Sequence, residues 1–225
     1  MYRFVFLDAD DTLLDFLLTE RAAITESLRR FGLPPTDELV LQYSSINKAA
    51  WERMERGEIT RDRVLIERFE ILFNRIGADI DPYVFEDTYQ ALLGQHAFLV
   101  EGALDILAYL RPKYQLYIVS NGVAATQESR FREAGLTDWF DGIFISEHIG
   151  FHKPEKAYFD ACFARIPDFS HKQAIIVGDS LSSDILGGIN AGIDTCWFNY
   201  RHRPARDDIR PDYIIDTLGT IKTIL

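Results

Sequence analysis

The chain has little sulfur and few histidines from which to build a soft metal centre. Its two cysteines, Cys162 and Cys196, lie in apolar stretches without the spacing of a zinc site or a disulfide framework, so buried, inert thiols are expected. The five histidines form no HxxxH or HxH pattern, which argues against a transition-metal site; His152 is set apart only by adjoining Lys153. No apolar run approaches the roughly 20 residues that a membrane span requires. There is no repeat or low-complexity tract, and the first residues enter a strand-like segment instead of a signal peptide. A cytoplasmic protein without a membrane partner is expected. Positive charge is also short: 24 Lys and Arg against 35 Asp and Glu leave a net charge of -11. That balance disfavours nucleic-acid backbones and, at long range, any anionic substrate.

What is present is an ordinary globular composition, 47% hydrophobic and 26% charged over 225 residues, enough for one large domain or two small ones. The stretch Phe4-Val5-Phe6-Leu7 reads as a strand buried on both faces, as in a parallel sheet, and it runs into Asp8-Ala9-Asp10-Asp11-Thr12. Clustered acids beyond a buried strand repel one another unless a cation or donors hold them. The arrangement recurs. Leu116–Val119 runs into Ser120-Asn121-Gly122, Gly142–Ile145 into Ser146, and Ala174–Val177 into Gly178-Asp179-Ser180. In an open parallel sheet, ligands bind beyond the carboxyl ends of the strands at the switch point of strand order, so Asp8, Ser120 and Asp179 are expected to converge.

Asp8-x-Asp10-x-Thr12, Ser120-Asn121-Gly122, Lys153-Pro154 and Gly178-Asp179-x4-Asp184 resemble, in order and spacing, the four motifs of the haloacid dehalogenase-like hydrolase superfamily. Each alone is a weak signal; four in order are strong. A narrower resemblance, to house-cleaning pyrimidine 5′-nucleotidases, rests on Asp184–Gly192 with Thr195-Cys196-Trp197, and on Ser45-Ile46-Asn47-Lys48 with Gly57-Glu58-Ile59-Thr60.

Between Asp15 and Phe98 the pattern is helical. Leu17, Ile24, Leu28 and Phe31 form one expected stripe and Leu39, Tyr43, Ile46, Ala50 and Met54 a second. Leu65, Phe69, Leu72 and Ile76 follow an N-cap at Thr60, and Phe85, Tyr89 and Leu92 follow Pro82. Four helices without a strand predict a helical insertion, since a parallel sheet needs crossovers that return to it. The resemblance implies that this insertion is a helical-bundle cap. Beyond Phe98, strands and helices alternate, including a polar helix over Val123–Ala134, a helix from Pro154, one from Ser182 to Ala191, and a last edge strand at Tyr213–Ile215. The expected architecture is an α/β doubly wound parallel sheet built from 1–15 and 98–225, with an inserted helical cap over 16–97. Arg201–Pro211 reads as a charged surface loop.

The chemistry that suits these residues is phosphoryl transfer from a small phosphorylated metabolite. Asp8 is placed to attack phosphorus and form an aspartyl-phosphate. Asp10 could protonate the leaving oxygen and then deprotonate the hydrolytic water; family dehalogenases lack an acid there. Mg2+ prefers oxygen ligands, which fits Asp8, the main-chain carbonyl of Asp10, and Asp179, the set the resemblance implies. Asp184 either orients metal-bound waters or ligates directly. The Ser120 hydroxyl and the Asn121 and Gly122 N–H groups offer donors to the phosphate, and Lys153 a mobile positive charge. Taken singly, Ser120 as a helix cap, Lys153 as a surface lysine and Asp184 as a cap are the plainer readings; convergence at strand ends reverses them. Phe16, Asn47 and Trp51 are candidates for holding a nucleobase. The leading expectation is a Mg2+-dependent nucleoside 5′-monophosphatase, monomeric or homodimeric. Alternatives are a sugar-phosphate phosphatase or phosphomutase of the same superfamily and, from another class, a phospho-accepting receiver-like signalling domain.

Overall fold

The computed structural model describes all residues, Met1–Leu225, and divides into two compact units: Met1–Asp15 with Phe98–Leu225, and Phe16–Ala97. The first strand, β1 (Phe4–Asp8), is buried along its whole length, the consequence of its unbroken apolar run. A turn follows in which the Leu13 and Leu14 N–H groups donate to the Ala9 carbonyl, with Asp11 in the left-handed region at φ 60.

The inserted unit consists of α1 (Phe16–Arg30), α2 (Asp37–Glu55), α3 (Arg61–Ile76) and α4 (Pro82–Leu93). Its starts are written locally: Thr36 accepts from Leu39 N–H, Thr60 from Arg63 N–H, and Asp81 from Tyr83 N–H ahead of Pro82. Rings of Tyr43, Phe69, Phe85 and Tyr89 pack at its centre. Two expected stripes are corrected. On α1, Leu17 is exposed while Thr19, Glu20, Ala23, Ile24 and Leu28 are buried. On α3, Val64, Arg68, Phe69, Leu72 and Phe73 face inward, leaving Leu65 half-buried and Ile76 at the surface. The reason is a buried polar network that periodicity assigns to solvent. Arg68 donates to Glu86 at 2.6 Å and to the Asn47 side-chain oxygen Oδ1 at 2.8 Å, and Asn47 Nδ2 donates to Glu20 at 2.6 Å. Buried charge is tolerated when paired, so these groups take inward positions that apolar residues would otherwise hold.

The first unit continues through α5 (Ala103–Leu110), β2 (Gln115–Ser120), α6 (Ala124–Glu133), β3 (Gly142–Ile145), the short α7 (Ser146–Ile149), α8 (Lys156–Phe163), β4 (Ala174–Gly178), α9 (Leu186–Ala191), β5 (Asp194–Phe198) and β6 (Tyr213–Ile215). All six strands are parallel, in the order β3-β2-β1-β4-β5-β6, so the chain reverses its direction of travel across the sheet between β1 and β4. Asp8 lies beside Val119, and Leu7 beside Val177. The register therefore sets Asp8, Ser120 and Asp179 along one edge. Helix α9 closes on the sheet so tightly that a Cβ at Gly188 would lie 2.6 Å from methyls of Ile176 and Thr195. At the insertion junction the two passages of chain are bonded to each other: Asp15 N–H to the Phe98 carbonyl, Val100 N–H to the Leu13 carbonyl, and an antiparallel bridge between Leu14 and Leu99. No helix is long and apolar enough to cross a membrane.

Candidate active site

Asp8, at the end of β1, accepts from Lys153 Nζ at 2.6 Å through one oxygen and from the Thr12 hydroxyl at 3.1 Å through the other. Lys153 is 2% exposed and donates also to Asp184 at 2.7 Å and to the Val119 carbonyl at 2.9 Å. The expected mobile charge is thus corrected. Three acceptors fix the ammonium, because an ion without water must satisfy its donors within the protein. Asn121 holds the backbone that carries it: its side chain accepts from Lys153 N–H and donates to the Lys153 carbonyl, both at 2.9 Å.

Asp179 follows β4, with its carbonyl accepting from Trp197 Nε1 at 2.8 Å. Between Ser180 and α9 the backbone makes a single π-helical turn, Leu181–Ile185, which carries Asp184 inward to 1% exposure; Ser180 N–H donates to its second oxygen at 3.0 Å. Gly178 makes room for it. A Cβ at that position would stand 2.3 Å from the Asp184 carboxyl carbon. Asp8, Asp179 and Asp184 offer carboxylate oxygens that lie within 4.8 Å of one another.

Ser120 ends β2 at 1% exposure, and its oxygen accepts from Gly122 N–H at 3.1 Å and Gln127 Nε2 at 2.8 Å. With both accepting positions used, the hydroxyl proton is left to donate elsewhere. The Asp10 carboxylate is turned to helix α6, where Arg130 Nη1 holds one oxygen and Gln127 Nε2 the other at 2.8 Å. The Arg201–Pro211 stretch is likewise not a purely solvated loop: Arg201 pairs with Asp11 at 2.7 Å and Arg203 with Asp179 at 2.9 Å.

Five carboxylates (Asp8, Asp10, Asp11, Asp179, Asp184) thus face four cations (Lys153, Arg130, Arg201, Arg203). Burial, reinforced by the Asp184 charge and opposed by Lys153, pushes Asp8 up to about 8. Burial, with Asp11 and Asp8 nearby, raises Asp179 well above the usual carboxylate range. Both shifts come first from burial and then from neighbouring acids, a cost that a divalent cation would offset, and hard oxygen donors suit Mg2+. The donor set fits that ion.

Of the residues singled out from the sequence, Asp8, Ser120, Asn121, Gly122, Lys153, Asp179 and Asp184 are brought together on this edge; Asp10 joins them through α6. Phe16, Asn47 and Trp51 belong to the inserted unit. There Phe16 packs on the helical core, Asn47 is spent on Glu20 and Arg68 at 2% exposure, and Trp51 lies against Ala50, Met54 and Val64. Sequence reasoning missed Gln127 and Arg130. Their three-residue spacing on the inward face of a helix directly after Ser120-Asn121-Gly122 was the available signal. Arg201 and Arg203 carried none, since their partners lie far off in the chain.

Comparison with known proteins places this geometry in context. Residues 2–192 match the family described as haloacid dehalogenase-like hydrolase. The chain is 41% identical over 224 residues to the HAD-hydrolase YfnB of Bacillus subtilis, covering 100% of this chain and 95% of the relative. A crystal structure of YfnB, described as bound to magnesium and revealing interdomain movement, superposes with a TM-score of 0.96, covering 100% of this chain and 98% of that one. The chain is also 35% identical to the pyrimidine 5′-nucleotidase PynA of Streptococcus pneumoniae, over 94% of this chain and 90% of that protein. It is 31% identical to the pyrimidine 5′-nucleotidase YjjG of Escherichia coli, over 98% and 96%.

Proposed function

The chain belongs to the haloacid dehalogenase-like hydrolase family, and from that premise we propose that it is a Mg2+-dependent phosphomonoesterase acting on pyrimidine nucleoside 5′-monophosphates through an aspartyl-phosphate. The observation that carries the reading is the shared edge on which Asp8, bonded to Lys153, stands beside Asp179 and Asp184. Asp8, Asp179 and the Asp10 carbonyl would hold the cation, with Asp184 as a further ligand or an anchor for its waters. When bound, the ion supplies the charge that lets a carboxylate approach a phosphate dianion.

Asp8 forms a bond from a carboxylate oxygen to phosphorus as the ester P–O bond breaks, and the Asp10 carboxyl gives its proton to the departing alkoxide. The Ser120 hydroxyl donates to a phosphoryl oxygen, and the Lys153 ammonium, whose three N–H groups are already taken, adds its positive charge beside it. In the second half, water attacks phosphorus, Asp10 takes its proton, and inorganic phosphate leaves Asp8 as a carboxylate again. With a divalent ion and Asp10 protonated, the four cations and the other four acids sum to two positive charges, so attraction for a phosphate is local although the chain is anionic overall.

The pyrimidine assignment is supported by the names of two relatives. Phe16 and Trp51, the remaining candidates for holding a nucleobase, are half-buried within the inserted unit. Purified protein assayed against nucleotides and sugar phosphates, with Mg2+ or with EDTA, provides the test. Pyrimidine nucleoside monophosphates should give the highest kcat/KM, EDTA should stop turnover, and Asp8→Asn should abolish it with the circular dichroism spectrum unchanged. Hydrolysis that ignores EDTA, or activity surviving in Asp8→Asn, would refute the proposal; an isomerised sugar phosphate without free phosphate would indicate a mutase.

A further inference from the structure

We propose that Arg203 is a built-in competitor of the divalent cation for Asp179, so that the guanidinium and the ion hold that carboxylate in alternation. The inference rests on the reading of Asp179 as a metal ligand. Arg203 Nη1 lies 2.9 Å from Asp179 Oδ2, within the three-carboxylate cluster. Neither backbone is free to retreat. The Asp179 carbonyl is tied to Trp197, and the Arg203 backbone is clasped by Asn199, whose side chain donates to the Arg203 carbonyl at 2.9 Å and accepts from its N–H at 2.8 Å. Asn199 is itself fixed through its N–H to the Ile215 carbonyl. The loop after β5 thus presents a guanidinium to this acid from a rigid base.

The side chains differ in their freedom to leave. Lys153 and Arg130 are 2% and 1% exposed in their side chains, so they are permanent counter-ions; that of Arg203 is 34% exposed and has a way out to water. Arg201 is a contrast on the same loop, because it pairs with Asp11, which lies outside the three-carboxylate cluster. A divalent ion on Asp179 and a guanidinium on the same carboxylate repel at short range, and the exposed partner is the one that yields. In the cation-free state Arg203 neutralises Asp179 and lowers the affinity that three carboxylates alone would give.

The test is calorimetric titration of Mg2+ into the wild type, Arg203→Gln, Arg201→Gln and Asp179→Asn, at one pH and ionic strength, with hydrogen exchange of residues 199–211 followed in parallel. Arg203→Gln should bind Mg2+ about tenfold more tightly, a change on the scale of removing one nearby like charge. Arg201→Gln should gain much less, and Mg2+ should leave amide exchange in the wild-type loop unchanged, since only the Arg203 side chain moves. Equal or weaker binding by Arg203→Gln, or an equal gain from Arg201→Gln, overturns the competition. If Asp179→Asn weakens binding while Arg203→Gln leaves it unchanged, the metal assignment stands and only the competition falls. If the wild type binds no Mg2+, both fall.

Discussion

Replacing Lys153 with methionine keeps the side-chain volume and removes the one ammonium shared by Asp8 and Asp184, both nearly inaccessible to water. Taking one partner from a buried ion pair costs about 3–5 kcal/mol, because the orphaned charge keeps its desolvation penalty. At roughly 2–4 °C per kcal/mol for a chain of this size, the catalytic unit should melt about 6–20 °C lower. The loss has a pH dependence whose sign follows from Asp8. Burial holds that carboxyl up near 8 even with Lys153 opposing, and without the ammonium it rises further. A carboxyl with a folded-state pKa above its unfolded value stabilises the fold while protonated, and that contribution is lost as pH rises through the folded value. The variant should therefore be hurt less at pH 6 than at pH 9, and Asp184→Asn should rescue part of the loss. Urea unfolding in EDTA, in a Trp51→Phe background so that fluorescence reports only on Trp139 and Trp197 of the catalytic unit, measures both. A penalty below about 1 kcal/mol at pH 9, or one that does not change with pH, would refute the buried-charge reasoning.

Gly178→Ala should force Asp184 from its place, lowering stability by about 1–3 kcal/mol and kcat/KM by at least tenfold, read by thermal melting and steady-state kinetics. Arg130→Met releases one oxygen of Asp10 and should lower kcat about tenfold or more with KM within about threefold, the pattern of a group that orients a proton donor; an unchanged kcat would deny it that role. Burial pushes Cys162 and Cys196 up to about 12, so thiolate is scarce at pH 8. Ellman's reagent should label neither in the native protein and both after denaturation.

The sheet could be read from the chain because each core strand is an unbroken apolar run that ends in a polar residue. Asp8, Ser120 and Asp179 were visible for the same reason: a strand end fixes where its next side chain goes. Asp184 was visible by its spacing from Asp179, though not the π-helical turn that brings it inward. Periodicity failed where polar groups answer each other in the interior. Arg68 on α3 and Arg130 on α6 stand on inward faces because Glu86 and Asp10 wait there, and a helical stripe counted in apolar residues alone rotates away from both. The guanidiniums of Arg201 and Arg203 were hidden by distance along the sequence, which no local pattern spans.

The bonded crossing of the chain at Asp15 and Phe98 has a bearing on descent. Since exit and return are stitched together, whatever is spliced between them costs the catalytic unit only the closure of a loop, about 0.6 kcal/mol for each doubling of length. The proposed catalytic acids and the inserted helices are therefore separable inheritances. A lineage can rewrite what lies between those two residues while the edge that carries Asp8, Asp179 and Asp184 stays as it was.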